Sequence, residues 1–288
     1  MMGLIDDIKK EAQGNRTKIQ SSEASELEKI LNNLLYLPKN IEEETKFVKQ
    51  VMTRGLESQE RVGLHASAML VGEKQFCMRA QVLSLLFKQL QGKQVPVGLM
   101  RIFEEGNAVH EKWQRLFIRG GFGKARNMDY TRMYEPYKMS FTPDIVCRIP
   151  EFFDGAMIGE IKSVNTFAFK KQVKHPSAWK QCQWYMHLCI KLAEERGKWN
   201  GVDYTRGFVL SEDKNTQDFK CEVYDFEYDL IEQFDDRANE IIYNYDEFME
   251  TKKMVRRPSD ATKPDCKHCK ECFMRDACWN IGDGRIRI

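Results

Sequence analysis

The sequence predicts an α/β protein. Two pairs of short apolar runs, at 142–162 and 204–226, read as antiparallel strand pairs. Longer stretches before, between and after them carry apolar residues at helical spacing. The chain has 288 residues, 42% of them hydrophobic, which is enough for a substantial core in one large or two small domains.

From the N-terminal side, Leu27, Ile30, Leu31, Leu34 and Leu35 recur at helical spacing, and Leu37-Pro38 ends that run. Ile41 to Val51 reads as a second amphipathic helix. The pair is expected to pack against a core; the alternative is a surface that docks a protein partner or gates DNA. Leu64 to Ser67 leads into 68–76, and a helix through Gln81–Gln89 stops near Gln91-Gly92. A longer helix over Val97–Arg119, closed by Gly120-Gly121, carries His110. Thr131–Lys138 reads as one strand, with Glu135 an exposed strand residue rather than an extra ligand.

The stretch from His110 to Tyr185 holds the chemistry. Thr142-Pro143-Asp144-Ile145-Val146 and Ile158-Gly159-Glu160-Ile161-Lys162 flank a Pro- and Asp-Gly-containing insert at 150–155, the pattern of a hairpin. Side chains alternate along a strand, so Glu160 and Lys162 share a face. A fold about Phe152–Phe153 sets Asp144 opposite or diagonal to Glu160. Two carboxylates so close repel unless positive charge lies between them, and a divalent cation with oxygen ligands fits such a gap. Charged strand residues ordinarily form a solvated face. The neighbours Ile145, Val146, Ile158 and Ile161 argue for burial on at least one side.

After Lys162, residues 163–174 mix lysines with Phe167 and Phe169, which suits a single-stranded backbone with stacked bases or, equally, a charged loop. Pro176 to Leu192 is expected to be helical, with Gln181 and Tyr185 on one face and Trp184, Leu188 and Cys189 inward. A strand pair at 204–226, a helix over Asp229–Met249 and a basic linker at 252–257 complete the run.

Composition sets limits. A net charge of +2 does not mark a nucleic-acid binder, so any such groove must come from local clustering. No run of about 18 apolar residues is present, which predicts no transmembrane helix. The first residues lack the pattern of a secretory signal, and a soluble, cytoplasmic protein is expected. No G-x-x-x-x-G-K-[ST] loop occurs, so no helicase motor is expected. Nine cysteines is an odd number, and their clustering near the end suits metal binding better than a disulfide framework.

Pro143-Asp144 followed by Glu160-Ile161-Lys162 resembles the signature of the PD-(D/E)xK nuclease superfamily. Gly106 to His110 resembles the helical histidine motif of its RecB-like branch, and Gln181-Cys182-Gln183-Trp184-Tyr185 resembles that branch's Gln-x-x-x-Tyr motif. All four motifs stand in the family order. The resemblance, over about residues 64–279, implies a restriction-endonuclease-like core with a central mixed sheet flanked by helices. It implies exonuclease action on DNA ends, with single-stranded ends the expected substrate, in recombination, repair, phage replication or spacer acquisition. Carried onto these positions, His110, Asp144, Glu160 and the carbonyl of Ile161 would hold Mn²⁺ or Mg²⁺. Lys162 would act in catalysis with the two carboxylates, and Gln181 and Tyr185 would position the nucleic acid.

The tail places Cys266, Cys269, Cys272 and Cys278 within thirteen residues. All four could bind one Zn²⁺, or Cys269, Cys272 and Cys278 could join a distant fourth thiol around an iron–sulfur cluster. The second arrangement resembles the iron–sulfur subgroup of RecB-like nucleases, the AddB nuclease-domain and CRISPR-associated exonuclease type. That resemblance makes Cys77 the upstream ligand of a 4Fe-4S cluster. Cys266 departs from the pattern and keeps zinc open. Cys147, Cys182, Cys189 and Cys221 read as core thiols.

The expected partition is an N-terminal helical region over 1–63, a nuclease core over 64–251, and a linker with a cysteine clip over 252–288 packing back on Cys77. Two other readings stand beside the exonuclease. One is a DNA-binding or assembly subunit that docks a partner through the N-terminal helices; the other is a zinc-stabilised RNA-processing factor.

Overall fold

The computed structural model describes residues 22–56, 63–72, 76–87, 97–171, 176–196, 202–270 and 272–281. In chain order the elements are helix α1 (22–34), α2 (Ile41–Leu56), β1 (Leu64–His65), α3 (Met78–Leu86), α4 (Val97–Arg119), β2 (Arg132–Tyr134), β3 (Met139–Phe141), β4 (Ile145–Ile149), β5 (Phe153–Val164), α5 (Thr166–Lys171), α6 (Pro176–Arg196), β6 (Arg206–Asp213), β7 (Phe219–Asp225), α7 (Tyr228–Thr251) and α8 (Arg275–Ile281). Among the described residues no helix is long and apolar enough to cross a membrane.

Two compact units emerge, and they interleave along the chain. One comprises Met1–Arg54, Arg101–Tyr130 and Pro143–Phe226; the other Gly55–Met100, Thr131–Thr142 and Glu227–Ile288. Each therefore draws on segments far apart in sequence, which a linear partition at 63 and 251 does not capture.

The first unit is a four-stranded mixed sheet, order β4-β5-β6-β7, between helices. This is the α/β arrangement expected of the chain. The hairpin forms as anticipated: β4 pairs antiparallel with β5 in the register Ile145↔Gly159, Val146↔Ile158 and Cys147↔Met157, with an irregularity before Ile149↔Phe153. β5 runs parallel to β6, with α5 and α6 in the crossover, and β6 turns antiparallel into β7.

Side-chain alternation gives the sheet two distinct faces. Ile145, Cys147, Met157, Ile161, Phe208 and Leu210 enter one buried cluster with Trp113, Leu116 and Phe117 of α4 and Leu27, Leu31 and Leu34 of α1. The rings of Phe117 and Phe208 stack with centroids 5.6 Å apart. Leu35, expected on that stripe, lies just past α1 and is exposed. On the opposite face α6 lies close, its Cys182 thiol donating to the Ile158 carbonyl at 3.3 Å. Gly207 allows this approach, since a Cβ there would strike the Cys182 sulfur. Trp184, Leu188 and Cys189 are buried as expected, and so are Cys147, Cys182 and Cys221.

The second unit holds the small sheet β1-β3-β2, with β1 parallel and β2 antiparallel to β3. The single strand expected at 131–138 is not formed. A 3-10 turn over Glu135–Tyr137, with Pro136 in its first turn and Lys138 left-handed at φ 45°, breaks that run in two. Only Arg132–Tyr134 of it is strand, and that strand pairs with β3 beyond the turn rather than with the β4–β5 hairpin. Glu135 sits exposed in the turn. The helix expected over 81–89 begins earlier, after Cys77, and ends at Leu86; residues 88–96 lie outside the described set.

In the same unit Arg79 is fully buried. Its guanidinium donates to the Cys278 sulfur at 3.1 Å and to the Val255 carbonyl at 2.6 Å. The tail thus packs back on the segment that follows Cys77, and Arg257 also donates to the Cys278 carbonyl at 3.0 Å.

Candidate active site

The site lies on the α6-facing side of the large sheet, at the open end of the β4–β5 hairpin. The register Ile145↔Gly159 continues by one step to set Asp144 across from Glu160. Alternation puts Glu160 and Lys162 on one face, and Lys162 Nζ lies 3.1 Å from Glu160 Oε2. Gly159, between these strand faces, lets the Phe208 ring lie flat on the backbone; a Cβ there would collide with it.

Asp144 is fixed at both its ends. Its carbonyl accepts from the Asp129 N–H at 3.0 Å and from Gln114 Nε2 at 2.8 Å. Its Oδ2 accepts from the main-chain N–H of Ile161 at 2.8 Å, and its Oδ1 lies 3.3 Å from His110 Nδ1. Two helix residues four apart, His110 and Gln114, thus reach the same aspartate from one side of α4. Gln114 was not singled out from the sequence, although its i+4 spacing from His110 was the available signal.

On α6, Gln181 Oε1 lies 3.5 Å from Lys162 Nζ, and Gln181 Nε2 donates to the Tyr185 hydroxyl at 3.0 Å. The structure therefore brings His110, Asp144, Glu160, Lys162, Gln181 and Tyr185 into one constellation. Ile161 belongs to it through its main chain.

Burial sets the electrostatics. Glu160 is fully buried, and that burial, together with the nearby Asp144 charge, pushes its carboxyl up to about 8, against the pull of Lys162. Burial also opposes the charge on Asp144, but His110 and Lys162 outweigh it and hold that carboxyl below its ordinary value. Burial disfavours protonated His110, and Asp144 reverses this and raises it. Lys162 is likewise raised, its burial outweighed by Glu160 and Asp144. The two carboxylates thus move apart, the pattern of a pair too close for both to ionise freely.

Glu160 Oε1 is buried and has no hydrogen-bond partner. An orphaned carboxylate oxygen in such a place is costly, and a divalent cation is the partner that oxygen donors of this kind satisfy. The donor set of two carboxylates and an imidazole fits Mn²⁺ or Mg²⁺. Among the described residues no group of three or more His, Cys, Asp or Glu side chains is placed so that it could hold a metal ion.

The same holds for the cysteines of the second unit, which are all free thiols. Burial raises the Cys77 thiol, and nearby Cys272 and Cys278 push the same way against the lowering main-chain bonds of Ala80 and Arg79. Cys272 is likewise raised by burial and by Cys269 and Cys278.

On the α4-facing side of the same sheet, beyond the site, lies a second buried charged contact. Ser163 and Val164 of β5 pair with Glu212 and Asp213 of β6. Buried Glu212 accepts from Trp113 Nε1 at 2.6 Å and pairs with Lys112 at 2.5 Å, a contact that no sequence motif announced.

Neither a family model nor a curated protein matches the chain. Among solved structures it is similar to an alkaline exonuclease (LHK-Exo) from Laribacter hongkongensis, at TM-score 0.42 and 15% identity over 65% of this chain and 90% of that one. The complex of LHK-Exo with dAMP gives TM-score 0.45 at the same identity and coverage, 15%, 65% and 90%. SSO0001 covers 82% of this chain and 95% of its own, at TM-score 0.40 and 12% identity. At that distance the assignment rests on the site's own residues.

Proposed function

We propose that the chain is a divalent-metal-dependent deoxyribonuclease that hydrolyses phosphodiester bonds at single-stranded DNA ends. The observation that carries this reading is the buried pairing of Asp144 with Glu160, flanked by Lys162 and His110 and leaving Glu160 Oε1 without a partner. The ordered motifs of the PD-(D/E)xK resemblance support it.

Asp144, Glu160, His110 and the Ile161 carbonyl would hold the cation. A divalent ion there supplies Lewis-acid polarisation of the scissile phosphate. Lys162, kept protonated by Glu160, presents positive charge where negative charge builds on the phosphate. Gln181 orients Lys162 from α6 and is itself oriented by Tyr185. Gln114 and the Asp129 N–H fix the backbone beneath Asp144, so the carboxylate meets substrate without reorganising. The cysteines would hold a 4Fe-4S cluster that ties the second unit together, with zinc the alternative.

The test is end-labelled linear and circular DNA, single- and double-stranded, incubated with Mn²⁺ and with Mg²⁺. Loss of linear single strands with circles surviving is the expected result. Intact linear substrate at every metal concentration would overturn the reading.

A further inference from the structure

The segment just beyond Lys162 forms a fixed platform. β5 runs on to Val164, roughly 7 Å past Lys162 at the ordinary strand rise, and α5 starts at Thr166. Phe167, on that helix, is 68% exposed. The short helix that carries it is fastened on several sides. Thr166 Oγ1 donates to Asp213 Oδ1 at 2.9 Å and accepts from Asn215 Nδ2 at 2.8 Å. The Lys214 N–H donates to the Val164 carbonyl at 3.0 Å, and Lys220 Nζ donates to the Phe169 carbonyl at 2.8 Å. Asn165 Oδ1 accepts from the Ala168 N–H at 2.8 Å. The β6–β7 hairpin thus holds α5 by its backbone and leaves the Phe167 ring facing outward.

The ring is also oriented. Lys171 Nζ stands 4.2 Å from its centroid, and Lys170 adds a second exposed cation on the same short helix. An aromatic face beside two ammonium groups matches one chemical partner well: a nucleobase that stacks, followed by the phosphate that the cations attract. An apolar protein surface would have to desolvate both lysines, which disfavours it.

Resting on the nuclease reading above, we infer that Phe167, with Lys170 and Lys171, is a stacking platform for a base of the single-stranded substrate, next to the bond presented at Lys162. Phe167 is a positioning residue in this arrangement. It gives single strands an advantage over duplex, because a base is free to stack on it only when it is unpaired. It carries no sequence preference, since every base offers a π-face.

The experiment uses the full chain carrying Lys162→Ala to prevent cleavage, with and without Phe167→Ala or Phe167→Trp. Binding to a fluorescein-labelled oligothymidylate and to an abasic oligomer of equal length is read by anisotropy. Phe167→Ala is expected to weaken oligothymidylate binding by about 5- to 150-fold. It should leave abasic binding unchanged, which separates stacking from phosphate contact. Phe167→Trp should retain affinity, and its added fluorescence should be quenched by oligothymidylate but not by the abasic chain. Equal affinity of the alanine variant for oligothymidylate, or absence of quenching while binding persists, overturns the platform. With Lys162 restored, cleavage combined with unchanged Phe167→Ala binding overturns the platform and leaves the nuclease reading standing. Base-dependent binding without cleavage in any metal removes the nuclease reading and keeps the platform. A chain that neither binds nor cleaves overturns both.

Discussion

The main-chain N–H of Ile161 donates to Oδ2 of Asp144 at 2.8 Å, so the aspartate just before β4 is oriented by the backbone of β5. That single bond ties the geometry of the pair Asp144–Glu160 to hairpin register. A slip of one residue would turn Glu160 and Lys162 to the opposite face and lose the site entirely.

Lys162→Ala and Asp144→Asn should each reduce DNA cleavage by about 10²- to 10³-fold, the scale of removing one preorganised electrostatic group. Circular dichroism should show the fold retained, because the sheet's core residues are untouched. Initial rates on a labelled oligonucleotide are the check, and undiminished cleavage in either variant would remove these residues from the mechanism.

Gln114→Ala removes one of the two donors to the Asp144 carbonyl while Asp129 keeps the other. A cost of about 1–3 kcal/mol in stability is expected from the weakened buried acceptor. Turnover should fall by about tenfold with little change in DNA affinity, since Gln114 acts through Asp144. Equal turnover at saturating DNA would restrict Gln114 to a structural part.

The pH response of the metal-free protein follows from the same carboxylates. Glu160 is raised from 4.5 to about 8, so its folded form binds the proton more tightly. Its contribution to stability is complete below about 4.5 and is lost as pH climbs through about 8. His110, raised above 6.5, changes in the same direction over its own range. Asp144 is lowered from 3.8, so its contribution is already complete in that window. Thermal unfolding in EDTA should therefore show wild type losing stability relative to Glu160→Gln between pH 5.5 and pH 8.5. A divalent cation should raise the melting temperature more at the higher pH. A pH-independent difference between the two proteins would contradict the buried, raised carboxyl.

Gly159→Ala places a methyl group against the Phe208 ring, which is itself stacked on Phe117. Overpacking of this kind costs about 1–3 kcal/mol. The strand beside Glu160 must shift to relieve it, so cleavage should fall along with the urea midpoint. Restored activity in Gly159→Ala/Phe208→Leu would identify the ring as the obstacle.

Purified under air, the protein should be yellow-brown and contain iron, and Cys272→Ser or Cys278→Ser should lose both colour and iron. Elemental analysis by mass spectrometry is the check. Colourless protein with stoichiometric zinc would replace the cluster by the zinc alternative.

The hairpin was legible because alternation, a Pro- and Gly-bearing insert and apolar neighbours all agreed on one register. The ends of α4 were legible too, since Gly120 and Gly121 mark its stop and the periodicity runs unbroken to Arg119. Residues 131–138 misled because Pro136 and a left-handed Lys138 cut an otherwise strand-like run, and neither interrupts its apolar pattern strongly. The run at 163–174 hid α5 for a similar reason: six residues are too few for a helical period to register. Interleaving of the two units was invisible, because composition does not shift where the chain passes from one to the other. Within the site, motif order named the residues that the structure brings together; Gln114 was within reach of its i+4 spacing from His110, whereas the Asp129 N–H acts through a long-range main-chain contact that spacing cannot reveal.

The buried guanidinium of Arg79 has a bearing on biosynthesis. Its sulfur partner, Cys278, lies 199 residues downstream, so that bond forms only about 10–40 s of translation after Arg79 is made. The four-stranded sheet is complete in sequence by Asp225 and can collapse while the remainder is still being translated. A stall or premature stop between those two points would release a chain with the residues of the β4–β5 site present and the cysteine-bearing unit unfinished, a species for proteolytic quality control to remove.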